Sequence, residues 1–206
     1  MLAQFDLFTT FFVPALADGL RAGNLTRWSL PLEGPLLIQT RRFTDARGVF
    51  VETFSGRDAE VLGIDEDWVQ DNYSRSVHRG TVRGLHFQKA PHAQAKLVRV
   101  LRGAILDVAV DIRLGSTTFG RHVAVELSAE NGMQLYVPAG FAHGFCTLGA
   151  CTEVAYKVSD YYAPACDAGL AWDDPDLGIA WPVGRNTAVL SDKDARQPRL
   201  RDLVLG

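Results

Sequence analysis

Lys96-Leu97-Val98-Arg99-Val100-Leu101-Arg102-Gly103-Ala104-Ile105-Leu106-Asp107-Val108-Ala109-Val110-Asp111-Ile112 is the stretch that decides the fold class. Two apolar runs, Lys96–Leu101 and Ala104–Ile112, are split only by the turn signal Arg102-Gly103. They read as two short strands. Asp107 and Asp111 alternate with Ala109 on one strand face, so one or both acids are expected in a polar cavity. Downstream, His122–Leu127, Gln134–Val137 and Thr152–Val158 repeat the strand signal. Turns at Leu114-Gly115-Ser116, Glu130-Asn131-Gly132 and Pro138-Ala139-Gly140 separate them. Upstream, Gly48 to Phe54 alternates apolar and polar residues after a turn at Asp45–Gly48, and Asp58–Leu62 predicts a short helix. Short strands with no long helix between them imply a mainly β protein, an antiparallel barrel or sandwich of jelly-roll type with short peripheral helices.

The 206 residues suffice for one large domain with its own core. Residues 1–30 read as a helical N-terminal extension, and 31–206 as a single domain. Leu7 to Leu16 is apolar, but Asp6 and the lack of Lys or Arg before it argue against a secretory signal. The net charge of −3 gives no basic field, so nucleic acid is not an expected partner. No stretch is long enough for a transmembrane helix, so no membrane is expected either. Three cysteines without CxxC spacing argue for a reducing, cytoplasmic compartment and against a disulfide framework. At the C-terminal end, Trp172-Asp173-Asp174-Pro175-Asp176 and Trp181-Pro182 read as an extended segment wrapped over the barrel. Ser191 is the expected N-cap of a short helix.

Chemistry concentrates around Arg83-Gly84-Leu85-His86-Phe87-Gln88 and Lys96. A histidine flanked by cations suits proton transfer next to an anion. Metal-binding barrels often use two histidines one residue apart, and here Gln88 stands in place of the second. With His143 the set is two imidazoles and an amide, a poor site for zinc or iron, so no metal is expected. A base needs an orienting carboxylate, and Asp194, Asp107 and Asp111 are all candidates. Tyr156 is a candidate acid; a phenol satisfied by a neighbour is the plainer account of it.

The motifs together resemble the dTDP-4-dehydrorhamnose 3,5-epimerases, metal-free members of the cupin superfamily. The resemblance runs from about Leu36 to Leu200. It rests on Asp45-Ala46-Arg47-Gly48-Val49-Phe50-Val51-Glu52, Gln70-Asp71-Asn72-Tyr73-Ser74, Arg83 to Gln88 and Lys96 to Arg99. It continues through Asp107 to Arg113, Pro138-Ala139-Gly140-Phe141-Ala142-His143-Gly144-Phe145, Tyr156 to Tyr162 and Ser191-Asp192-Lys193-Asp194. It implies a cupin-type jelly roll and a homodimer that exchanges β-strands. It implies His86 as base, Asp194 as its carboxylate, Tyr156 as acid and Lys96 as stabiliser of the enolate oxygen. Arg83 and His143 become sugar and phosphate contacts. Arg47, Glu52, Gln70, Asp71 and Asn72 become nucleotide contacts, and Lys193 a further binding position. Asp167 stands where the family carries a longer glutamate. The implied reaction inverts C3 and C5 of dTDP-4-dehydro-6-deoxy-glucose to give dTDP-4-dehydro-L-rhamnose, with no redox change, so no cofactor is expected. A mono-epimerase acting at one of the two carbons is the neighbouring alternative.

Overall fold

The computed structural model describes residues 19–204. The first strands are β1 (Leu20–Ala22), β2 (Leu25–Ser29), β3 (Leu36–Thr40), β4 (Arg42–Asp45) and β5 (Gly48–Val51). Helix α1 (Gly56–Val61) follows, then β6 (Gln70–Ser76), β7 (Val82–Gln88), β8 (Lys96–Arg102) and β9 (Ala104–Asp111). The last are β10 (His122–Ser128), β11 (Met133–Val137), β12 (Phe141–Thr147), β13 (Thr152–Val158) and β14 (Asp167–Gly169). A larger sheet runs β1-β2-β3-β11-β8-β13-β6 and a smaller one β10-β9-β12-β7-β14; β4 and β5 form a separate hairpin. Every pairing between these strands is antiparallel. This is the expected jelly-roll arrangement. β8 and β9 follow each other in the chain but lie in different sheets, because the Arg102-Gly103 turn crosses between the layers.

The two sheets pack face to face through alternate residues. Val98 and Val100 from one meet Ile105, Ala109, Val125 and Phe145 from the other. The opposite face of β9, Leu106, Val108 and Val110, is buried too, under Leu170 and Leu177 of the C-terminal segment. That second layer explains why β9 reads as an almost unbroken apolar run. β7 and β12 come unusually close. A Cβ on Gly84, whose φ is +115°, would lie 2.7 Å from the Cα of Gly144. The glycine pair therefore lets these strands touch, and the register sets His86 opposite His143.

The N-terminal expectation needs correction. Leu20–Ser29 is a hairpin of β1 and β2, not a helix, and β2 joins the large sheet beside β3. Gly23, at φ +52°, makes the turn, and Leu25 and Trp28 are both buried, on opposite faces of β2. The possible signal segment and any helix before residue 19 lie outside the described residues. The helix expected over Asp58–Leu62 is α1, and its N-cap Ser55 accepts the Asp58 N–H at 3.4 Å. The C-terminal segment wraps the barrel as expected. Trp181 donates through Nε1 to the Trp172 carbonyl at 2.6 Å, and Val189 bridges to Thr81. It carries a 3₁₀ turn, Asp194–Arg196, whose N-cap is Lys193 and not the expected Ser191, and a second at Leu200–Asp202.

Candidate active site

A cavity of about 450 Å³ opens between the sheets; Arg83, His86, Lys96, His143, Tyr156 and Asp194 line it. An adjoining hollow of about 200 Å³ shares His86, Lys96, Tyr156 and Lys193 and adds Gln70, Asn72, Tyr162 and Asp167. His86 projects from β7 of the smaller sheet, Tyr156 from β13 of the larger. The two side chains therefore reach the cavity from opposite walls.

Of the carboxylates open in the sequence, Asp194 is the one beside His86. Its Oδ1 lies 2.5 Å from His86 Nε2. The 3₁₀ turn presents it, with the Ser191 hydroxyl accepting the Asp194 N–H at 3.1 Å. Burial pushes the Asp194 carboxyl up, but the bond to His86, helped by Ser191 and the Gly84 N–H, holds it below the usual carboxylate range. Asp107 pairs instead with the other histidine: His143 Nε2 lies 2.7 Å from its Oδ1. Its second oxygen, Oδ2, is buried with no hydrogen-bond partner. Asp111 lines neither of these two hollows. It accepts from Arg113, Ser116 and Thr118 and braces the turn after β9.

Lys96 is 9% exposed, and its Nζ donates to the His86 carbonyl at 3.3 Å. Burial brings its pKa down to about 8, while Asp107 and Asp167 act in the opposite direction. Burial raises the Tyr156 phenol, partly offset by Arg83. Arg83 is braced by Ser76, whose hydroxyl accepts from its Nε at 3.1 Å.

In the outer hollow Lys193 pairs with Asp167 Oδ2, which also accepts from the Tyr162 hydroxyl at 3.1 Å. Gln70 donates to Asn72 at 2.8 Å. Three expected contacts lie elsewhere on this chain. Asp71 alternates to the outer face of β6 and pairs with Lys157 at 2.9 Å. Arg47 sits on the exposed β4–β5 hairpin and pairs with Asp45 at 2.6 Å. Glu52 accepts from Asn24 at 2.9 Å. The structure also adds residues that the sequence reading did not select. Ser74 lines the main cavity with a buried hydroxyl that has no partner. Its signal was present: with Gln70 and Asn72 it keeps the two-residue period of one strand face.

This arrangement offers an oriented imidazole, a buried amine and a facing phenol around one cavity. Comparison with known proteins points the same way. The profile of the family described as dTDP-4-dehydrorhamnose 3,5-epimerase matches residues 29–202. The chain is similar to the Sinorhizobium fredii dTDP-4-dehydrorhamnose 3,5-epimerase, with 54% identity over 175 residues, 85% of this chain and 89% of the relative. It is also similar in structure to the Bacillus anthracis enzyme of that name, solved with TDP and pyrophosphate bound. There the TM-score is 0.82 at 47% identity, covering 85% of this chain and 99% of that one. A dTDP-6-deoxy-D-glucose-3,5-epimerase from Legionella pneumophila, in complex with dTDP-4-keto-L-rhamnose, gives a TM-score of 0.83 at 45% identity, covering 87% and 95%. Matched over most of its length and at this identity, the chain belongs to the dTDP-4-dehydrorhamnose 3,5-epimerase family.

Proposed function

We propose that this chain inverts C3 and C5 of dTDP-4-dehydro-6-deoxy-glucose, giving dTDP-4-dehydro-L-rhamnose. The supporting observation is the placement of His86 and Tyr156 on opposite walls of one cavity, with Lys96 buried between the same walls. Inversion needs a proton removed from one face of the sugar and returned to the other. The C4 ketone acidifies the C–H bonds on both neighbouring carbons. His86, oriented by Asp194, takes the proton, and the charge moves to the C4 oxygen. Protonated Lys96 stabilises that enolate in a site shielded from water. Tyr156 protonates the carbon from the opposite face. Proton exchange with solvent restores the neutral imidazole and the phenol, and repetition at the second carbon completes the reaction without change of oxidation state.

Arg83 and His143 contact the sugar and diphosphate, and Lys193, Gln70 and Asn72 the nucleotide. Asp167 acts through Lys193 and Tyr162, to which it is bonded. Arg47, Glu52 and Asp71 serve a neighbouring subunit's site in a homodimer. In support, the β4–β5 hairpin is solvent-exposed on this chain and carries Phe43, Val49 and Phe50 at its surface. Sedimentation as a monomer at micromolar concentration would remove that part of the reading. No helix among the described residues is long and apolar enough to cross a membrane. Free Cys146, Cys151 and Cys166 support a cytoplasmic location.

The deciding experiment is proton NMR of dTDP-4-dehydro-6-deoxy-glucose incubated with the protein in D₂O. Deuterium at C3 and C5 with formation of the L-sugar is expected. Deuterium at a single carbon would make the chain a mono-epimerase, and none at either would end the epimerase reading.

A further inference from the structure

Gln88 ends β7 two residues after His86, and only 7% of it is exposed. A buried amide must find partners for both its ends. Its Nε2 donates to the His92 carbonyl at 2.7 Å and to the Tyr161 carbonyl at 3.1 Å. Its Oε1 accepts the Ala163 N–H at 2.7 Å. These partners lie on two loops, residues 89–95 after β7 and residues 159–166 after β13. The second loop carries Tyr162 between the two residues that Gln88 holds. Tyr162 in turn donates its N–H to Gln70 at 3.3 Å and its hydroxyl to Asp167. One buried side chain thus fixes the backbone on both sides of the aromatic ring that walls the outer hollow.

We propose that Gln88 is a positioning residue for nucleotide recognition. It pins Tyr161 and Ala163, and through them it holds Tyr162 against Gln70 and Asp167 in the shape that receives a nucleoside diphosphate. The nature of that ligand rests on the function proposed above. Only a neutral amide suits the position. A carboxylate has no N–H for two carbonyls, and an apolar side chain leaves all three backbone groups unpaired.

The test has two arms. In the wild-type protein without nucleotide, the Ala163 amide should exchange with D₂O at least about a hundred-fold more slowly than in a free peptide. Exchange at the free-peptide rate overturns the proposal, whatever the variants do. In the second arm, Gln88→Glu and the neutral Gln88→Met are compared with wild type in dTDP binding and in turnover. Both should raise the dTDP dissociation constant and KM about ten-fold or more and leave kcat within about three-fold. Unchanged dTDP affinity in a folded Gln88→Met overturns the proposal, as does a fall in kcat at constant KM. Should neither variant fold, Ala163 exchange decides alone, and protection there supports the pin. Failure of the wild-type protein to bind dTDP or turn over the 4-keto sugar would instead sink the functional reading, while Ala163 protection would still report on the pin.

Discussion

The cavity holds two histidine–aspartate pairs, set side by side by the register of β7 and β12, and they are built differently. In the first, His86 has 32% of its side chain exposed and Asp194 5%. In the second, His143 has 7% and Asp107 none. The first carboxylate arrives from 108 residues away on the C-terminal wrap, the second from the adjoining strand. On the proposed mechanism the same two functional groups do different work. A partly exposed imidazole with a buried partner is placed to exchange a proton with a molecule in the cavity. A sealed pair has little access to the reacting carbons and instead fixes a donor and sets the local potential. The unpaired Oδ2 of Asp107 fits this, since Asp107 supports the positive charge on Lys96.

Mutation should separate the pairs. The largest effect is expected from His86→Ala. Turnover and deuterium exchange at both carbons should fall on the order of 10⁴-fold, with dTDP affinity within about three-fold of wild type. His143→Ala should mainly raise KM; if it abolished exchange while His86→Ala only weakened binding, the two roles would be reversed. Asp194→Asn should lower kcat by about 10³-fold, because His86 loses the carboxylate that orients it. Asp107→Asn should cost far less in kcat, and equal losses would erase the distinction. Tyr156→Phe should slow net inversion by about 10²-fold while proton abstraction, read as deuterium wash-in, is slowed less. Intact turnover in that variant would show another acid.

The smallest effect is a shift in pH dependence. Lys96 is protonated below its pKa of about 8 and neutral above it. Since the enolate needs the cation, kcat/KM should fall as pH rises through about 8. Asp107 favours the charged amine, so Asp107→Asn should move this limb to lower pH. A limb that stays in place would detach the sealed pair from Lys96.

Much of the fold was legible because apolar residues alternate or cluster in β8, β9, β10, β11 and β13. Three of the strands that were not read, β6, β7 and β12, line the site beside β8 and β13. β6, Gln70–Ser76, contains Gln, Asp, Asn, Ser and Arg around a single tyrosine, so no apolar period marks it. Its inward side chains face the cavity rather than the core. β12 is buried at every position and β7 at most, and their glycines and histidines break the strand pattern. β1 and β2 were hidden by the apolar stretch before them, which drew the whole N-terminus into one helical reading. For the site, residue types narrowed the base to His86 but left three carboxylates open. The family resemblance chose Asp194, and the turn that carries it places it there. Arg47, Glu52 and Asp71 were legible as motif positions, but short-range sequence carries no sign that they point away from their own cavity.

The C-terminal wrap also has a consequence in time. A chain grows from its N-terminus at roughly 5–20 residues per second, and earlier segments begin to fold as they emerge. Both strands bearing His86 and Tyr156 are made before Asp194, which follows His86 by 108 residues. Nascent protein therefore carries the His86 imidazole without its carboxylate until the C-terminal wrap has been made. On the proposed mechanism, the proton-abstracting pair is complete only once that wrap has docked.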